Sequence, residues 1–275
     1  MKTLKFNELV YLAPILASLI VGVFCTFLIL TSSMQIFTVT PFPENAVGSL
    51  GNAFYFVILV GIGAALFYLL LKWRSHRLIN AITGLAITLA IFMLSMIYAF
   101  SALSRFNIPY FEVFILTLSS LITVLADLAI FRTRSKVSDA IILCLGGALG
   151  AFLGASIATL SAVLILTALA VYDAFAVYYG LLGKIARNGL DQFRGLSFSF
   201  KDIQMGLGDL TFYSMLSGHM LLNFGLVPCL ASIVGISLGC LLAFQMLKKR
   251  GVFPGLPFSI FLGLILGFLT VLIQF

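Results

Sequence analysis

The sequence predicts an all-α, polytopic membrane protein, a single membrane domain over residues 1–275 with nine transmembrane helices. Two observations predict it. Hydrophobic residues make up 62% of the chain and charged residues only 9%, far below the roughly 25% charged of soluble domains. The apolar residues also come in runs of about 20, the length a helix needs to cross a hydrocarbon core of ~30 Å. A net charge of +7 would suggest nucleic acid as the partner of a soluble protein. Here the bases fall in short loops between apolar runs, where they set orientation, and no nucleic-acid partner is expected.

Taken in order, the first run, Leu9–Leu30, follows Lys2 and Lys5 but is too long for the apolar core of a signal peptide, and it reads as a span. Leu50–Leu71, Leu78–Phe100 and Tyr110–Phe131 follow as spans two to four. Ala140–Gly183 is about twice too long for one crossing. It is expected to fold back at Ala155–Ser161, giving spans over residues 140–156 and 160–183. Met205–Leu247 poses the same problem and should break near Asn223–Pro228, where Asn, Gly and Pro punctuate it, into spans over 205–222 and 226–247. The ninth span, over residues 256–275, contains the apolar run Phe258–Phe275. Residues 184–204 form the loop between spans six and seven.

The loop charges test that count. With alternate loops assigned to alternate sides, one side holds Lys2, Lys5, Lys72, Arg74, Arg77, Arg132, Arg134, Lys136, Lys184, Arg187, Arg194, Lys201, Lys248, Lys249 and Arg250. The other side holds Arg105 alone. A miscounted span would scramble this asymmetry, so the N-terminus is expected in the cytoplasm and the C-terminus outside, in a multi-pass protein of the cell membrane.

Span six then runs inward carrying Asp173, and span seven runs outward carrying Asp209. Both carboxylates fall in the inner half of the bilayer, on helices joined by one cytoplasmic loop. An intramembrane carboxylate is costly to desolvate and marks function by default. Gly206 and Gly208 before Asp209 allow close backbone approach, and Ala170, Ala176 and Gly180 give the Asp173 helix a small-residue face. Two carboxylates at one site can hold a single proton between them. Such a pair can activate a water for attack on an amide while protonating the scissile carbonyl.

Tyr172-Asp173, Gly206-Leu207-Gly208-Asp209 and Pro254-Gly255-Leu256-Pro257 resemble the three motifs of the presenilin and signal peptide peptidase family of intramembrane aspartyl proteases. The likeness extends through Gly206–Gly218 (GLGDLTFYSMLSG), and span order and spacing agree over most of the chain. The resemblance implies a presenilin-like fold in which Asp173 and Asp209 are the catalytic pair and Pro254–Pro257 shapes the active site. It also implies no cofactor and no metal. The family motif has Ala where this chain has Gly255, which is close in size but looser in backbone. The inferred orientation matches presenilin rather than signal peptide peptidase. By resemblance, the substrates are single-span membrane proteins or peptides with their N-termini outside. A homo-oligomer is compatible with the sequence. Two other readings of the same aspartates stay open at this point: a prepilin or preflagellin peptidase, which also uses a G-x-G-D aspartate, and a cation- or proton-coupled transporter. Against the first stand the added Y-D and proline motifs; against the second, the absence of paired related halves.

Leu196-Ser197-Phe198-Ser199-Phe200-Lys201 alternates apolar and polar residues, a strand signature that could pair with an unwound substrate and so bring Phe198 and Phe200 into substrate binding. The other reading is an interfacial loop resting its rings on lipid. Tyr172 is a candidate hydrogen-bonding partner near the pair. Asp127, a turn from Arg132, reads as interfacial, Arg-paired or water-exposed. His219 reads as a helix-end packing or hydrogen-bonding residue, and Gly146, Gly150 and Gly154 as a G-x-x-x-G helix-packing face. Cys25, Cys144, Cys229 and Cys240 stand singly, a spacing that supports neither a metal site nor a disulfide framework.

Overall fold

The computed structural model describes residues 11–32, 37–73, 76–106, 108–132, 136–178, 197–200, 203–250 and 253–274. Among these the chain forms nine α-helices: α1 (Ala13–Thr31), α2 (Ala46–Lys72), α3 (His76–Leu103), α4 (Phe111–Asp127), α5 (Lys136–Ser156), α6 (Thr159–Tyr178), α7 (Leu207–Phe224), α8 (Leu226–Arg250) and α9 (Leu256–Gln274). Helix α4 continues into a π-helical turn, Leu128–Arg132. Eight of the nine are long and apolar enough to cross a membrane. The ninth, α7, carries Asp209, His219 and Asn223 and is less apolar. The basic residues of the 184–194 stretch, with Lys2, Lys5 and Lys201, lie outside the described residues.

The long apolar runs break where the backbone allows. Helices α5 and α6 are separated by Ile157 and Ala158 alone. Between α7 and α8 only Gly225 intervenes, at φ 91°, a left-handed conformation that a side chain resists. Pro228 falls in the first turn of α8, where its missing N–H leaves no helical bond unmade.

Helix α7 is the centre of the fold, packed by α1, α5, α6, α8 and α9. Every residue from Tyr213 to Met220 on it is buried. That enclosure explains how a helix with serines, a histidine and an aspartate sits at the centre of apolar ones: its polar groups face protein. Close approach comes from small residues. A Cβ on Gly146 would stand 2.9 Å from the Leu210 Cβ, and one on Gly154 2.6 Å from the Met215 carbonyl oxygen. The glycine stripe of α5 is therefore the seat of α7. On α7's other flank, Gly22 of α1 is equally tight, with a Cβ position 3.0 Å from the Ser214 Cβ.

Between β1 (Ser197–Phe200) and β2 (Ile203–Gly206) runs an antiparallel hairpin, pairing Ser197 with Gly206 and Phe198 with Met205. Its second strand ends at Gly206, the residue that caps α7. The alternating stretch is thus a strand over Ser197–Phe200, and it leads directly into the helix carrying Asp209.

Candidate active site

Three elements meet at Asp173 and Asp209. Helix α6 brings Asp173 in its last third, α7 brings Asp209 in its first turn, and the segment Phe253–Gly255 opens α9 between them. Asp209 gains from its place: the first turn of a helix has unpaired N–H groups and a positive dipole end. The two carboxylates are close enough for their charges to interact.

The proline segment touches both. Pro254 lies in the irregular stretch before α9 and Pro257 in its first turn, where the helix's leading N–H groups have no helical partner and can point into the site. Leu256 N–H donates to Asp173 Oδ2 at 3.1 Å. A Cβ on the neighbouring Gly255 would stand 3.4 Å from Asp209 Oδ2 and 3.4 Å from the Tyr213 hydroxyl. Pro254 and Leu256 are buried, and Pro257 is half-buried. Thus Asp173, Asp209 and Pro254–Pro257, read as separate motifs in the sequence, are brought together.

The other motif residues have distinct places. Gly206 caps α7, and Gly208 is open enough that an added Cβ would meet only the Phe212 ring, at 3.9 Å. Leu207 packs toward Gly146. Tyr172 turns from the pair toward α2, its hydroxyl 3.8 Å from where a Cβ on Gly61 would lie. There it lines an apolar groove of about 510 Å³ between α2 and α6, with Leu50, Phe54, Val57, Val171 and Phe175. A smaller cavity of about 80 Å³ lies beside Asp209, lined also by Tyr213, Cys240, Phe253 and Gly255, with room for a few waters. Phe198 and Phe200 lie in β1 opposite Met205 and Ile203.

Sequence reasoning missed three polar residues beneath the site. Tyr213 donates to the Gly255 carbonyl at 3.0 Å, Ser259 donates to the same oxygen at 3.1 Å, and the Cys240 sulfur is 3.2 Å from the Ser259 hydroxyl. A signal existed for Tyr213: it is four residues after Asp209 and so shares its helix face.

Two candidates lie elsewhere. His219 is buried and bridges helices, with Nδ1 2.8 Å from the Gly154 carbonyl and Nε2 3.2 Å from the Thr159 hydroxyl, as a packing role requires. For Asp127 the arginine-paired reading is corrected. Thr88 of α3 donates to its Oδ2 at 2.8 Å, and its Oδ1 is buried without a hydrogen-bond partner. No lysine or arginine among the described residues pairs with it. The π-helical turn that begins at Leu128 follows Asp127 directly and separates it from Arg132.

Comparisons with known proteins converge on one group. The family model for signal-peptide peptidase, presenilin aspartyl protease matches residues 17–191. Two crystal structures of a presenilin family intramembrane aspartate protease, in space groups C222 and P2, share the fold. They align with TM-scores of 0.70 and 0.67, at 19% and 20% identity. The alignments cover 98% and 100% of this chain and 100% and 99% of theirs. A search of curated proteins finds no match.

Proposed function

The chain belongs to the signal-peptide peptidase, presenilin aspartyl protease family, and from that premise we propose that Asp173 and Asp209 are its catalytic pair. The protein is an intramembrane aspartyl protease. One observation carries the assignment of the pair: two carboxylates from neighbouring helices of the bundle converge on Gly255–Leu256. The family and fold leave no support for the transporter or prepilin peptidase readings.

In this reading, one aspartate holds the proton of the pair and donates it to the scissile carbonyl oxygen, while the other, as carboxylate, takes a proton from the attacking water. The tetrahedral diol then collapses as the amine nitrogen is protonated, and the amide plus water become an acid and an amine. The 80 Å³ cavity beside Asp209 supplies a place for that water. The enclosing protein strengthens each electrostatic contact to the developing charge. No step calls for a metal or a cofactor.

The substrates are transmembrane segments of membrane proteins. The apolar groove between α2 and α6 supports this, since it runs to Tyr172, the chain neighbour of Asp173, and its walls suit the side chains of a lipid-soluble helix. A helical substrate must unwind before an amide is exposed, and its freed N–H and C=O groups then need partners. The β1 edge, with Phe198 and Phe200, would provide them by strand addition. The charge split further supports nine spans, with α7 counted as the seventh and the N-terminus cytoplasmic, which selects single-span substrates with N-termini outside.

The test is cleavage of a reporter transmembrane substrate by purified protein, located by mass spectrometry. Asp173→Asn and Asp209→Asn should each abolish cleavage, a loss of at least about 10²-fold, because neither carboxylate can serve as acid and base together. Folding should survive, since Asn is nearly isosteric and removes a charge that is costly to bury. Wild-type activity against pH should be bell-shaped, its two limbs belonging to the pair rather than to either residue. Cleavage that persists in either Asn variant sinks the assignment.

A further inference from the structure

The hydrogen bonds around Gly255–Leu256 run through one planar unit. At its oxygen end, the Gly255 carbonyl accepts from Tyr213 at 3.0 Å and from Ser259 at 3.1 Å. At its hydrogen end, Leu256 N–H donates to Asp173 Oδ2 at 3.1 Å. A trans peptide is rigid and points its C=O and N–H in opposite directions, so whatever fixes the oxygen also aims the N–H. Donors on the oxygen polarise the amide and strengthen its N–H as a donor.

The two donors are not equivalent. Ser259 sits on α9 itself, four residues after Gly255, and moves with that segment. Tyr213 comes from α7, one turn beyond Asp209 and on the same face. Only Tyr213 ties the peptide that holds Asp173 to the helix that carries Asp209. Its ring is 1% exposed, so its hydroxyl position is fixed by packing rather than by solvent. Ser259 and Cys240 are equally buried.

We propose that Tyr213 is a positioning residue for intramembrane proteolysis: through the Gly255–Leu256 peptide, its hydroxyl holds Asp173 in register with Asp209. The proposal rests on the assignment of those two aspartates as the catalytic pair. It makes the proline segment more than a wall of the site. The segment is the strut whose one end is anchored on α7 and whose other end sets the Asp173 carboxylate.

The experiment compares purified wild type with Tyr213→Phe, Ser259→Ala, Asp173→Asn and Asp209→Asn on one reporter transmembrane peptide. Tyr213→Phe keeps the buried ring and removes only the donor. It should lower kcat about three- to tenfold, the worth of one neutral hydrogen bond. KM should be unchanged, one limb of the pH–rate profile should move, and Ser259→Ala should lose less than Tyr213→Phe. Replacing Tyr213 by 4-aminophenylalanine, which keeps an N–H donor in the same place, should restore kcat and the profile. This rescue is read per folded molecule, so it holds even if Tyr213→Phe lowers Tm. Wild-type kcat and pH profile in Tyr213→Phe, with both Asn variants inactive, would overturn the positioning role alone. So would a failed rescue by 4-aminophenylalanine. Active Asn variants would overturn the assignment of the pair instead.

Discussion

Substituting Gly150 by alanine should separate α5 from α7 and disable the enzyme without touching either aspartate. A Cβ built on Gly150 would stand 2.6 Å from the Ser214 Cβ and 2.7 Å from the Met215 amide nitrogen, and nearer still to the Thr211 carbonyl oxygen. Carbon contacts settle at about 3.5–4.0 Å, so the helices must part by roughly 1 Å. The neighbours here are backbone and a Cβ, which cannot swing aside. Overpacking of this kind costs about 1–3 kcal/mol. For a chain of this size that corresponds to a fall in Tm of roughly 3–10 °C. Because α7 carries Asp209 in its first turn, a displacement of about 1 Å should also cost on the order of 10²-fold in kcat. Gly63→Ala is the matched control: nothing lies within 4 Å of its added Cβ, and alanine is the better helix former by about 0.5–1 kcal/mol. The assay is thermal unfolding in detergent, with cleavage of a reporter peptide measured on the same samples. If Gly150→Ala matched Gly63→Ala in both readouts, the glycine stripe would not be the seat of the catalytic helix, and the reasoning would fail.

Three further outcomes are expected. Gly255→Ala should be tolerated with near wild-type cleavage, because its Cβ would meet Asp209 and Tyr213 at ordinary contact distance, 3.4 Å; Leu256→Trp, at a position 6% exposed, should impair cleavage by forcing the strut off Asp173, and wild-type rates in that variant would place the segment away from the chemistry. Single cysteines at Asn45 and Ser104 should label from outside intact cells with a membrane-impermeant reagent while one at Ser75 stays unlabelled, and outside labelling of Ser75 would reverse the orientation and the substrate preference with it.

Much of the fold was legible because hydrocarbon imposes so few solutions. A helix must be about 20 residues long and apolar, so the runs and their punctuation located α1 to α6, α8 and α9. Helix α7 obeys a different rule. With Asp209, His219 and Asn223 on it, it is the one of the nine that falls short of a span on hydropathy, and it was legible only as the first half of the long run Met205–Leu247, cut at Asn223–Pro228 and checked by the loop charges on either side. The reason is its burial: a helix sealed by five others does not need an apolar surface, only partners for its polar groups. His219 on Gly154 and Ser214 on Ser18 are such partners. The same logic explains Asp127, which invited an arginine one turn away and instead meets Thr88 of α3 across a helix interface.

What stayed hidden was whatever depends on how non-adjacent helices face one another. Tyr172 and Asp173 are adjacent in sequence, yet on a helix adjacent residues point about 100° apart, so one reaches the α2 groove while the other reaches the proline strut. Tyr213, by contrast, looks in sequence like any aromatic of an apolar helix. Its spacing from Asp209 puts it on the right face, but only the arrival of Gly255 from α9 gives its hydroxyl something to hold. The Gly255 position shows why the two levels cannot be separated. The packing leaves room for alanine there; the strut therefore depends on the peptide group and not on the side chain. A site whose working part is a backbone amide is silent in the sequence except through Pro254 and Pro257, which mark the start of α9, where the Leu256 amide in the first turn has no helical partner and is free to reach Asp173.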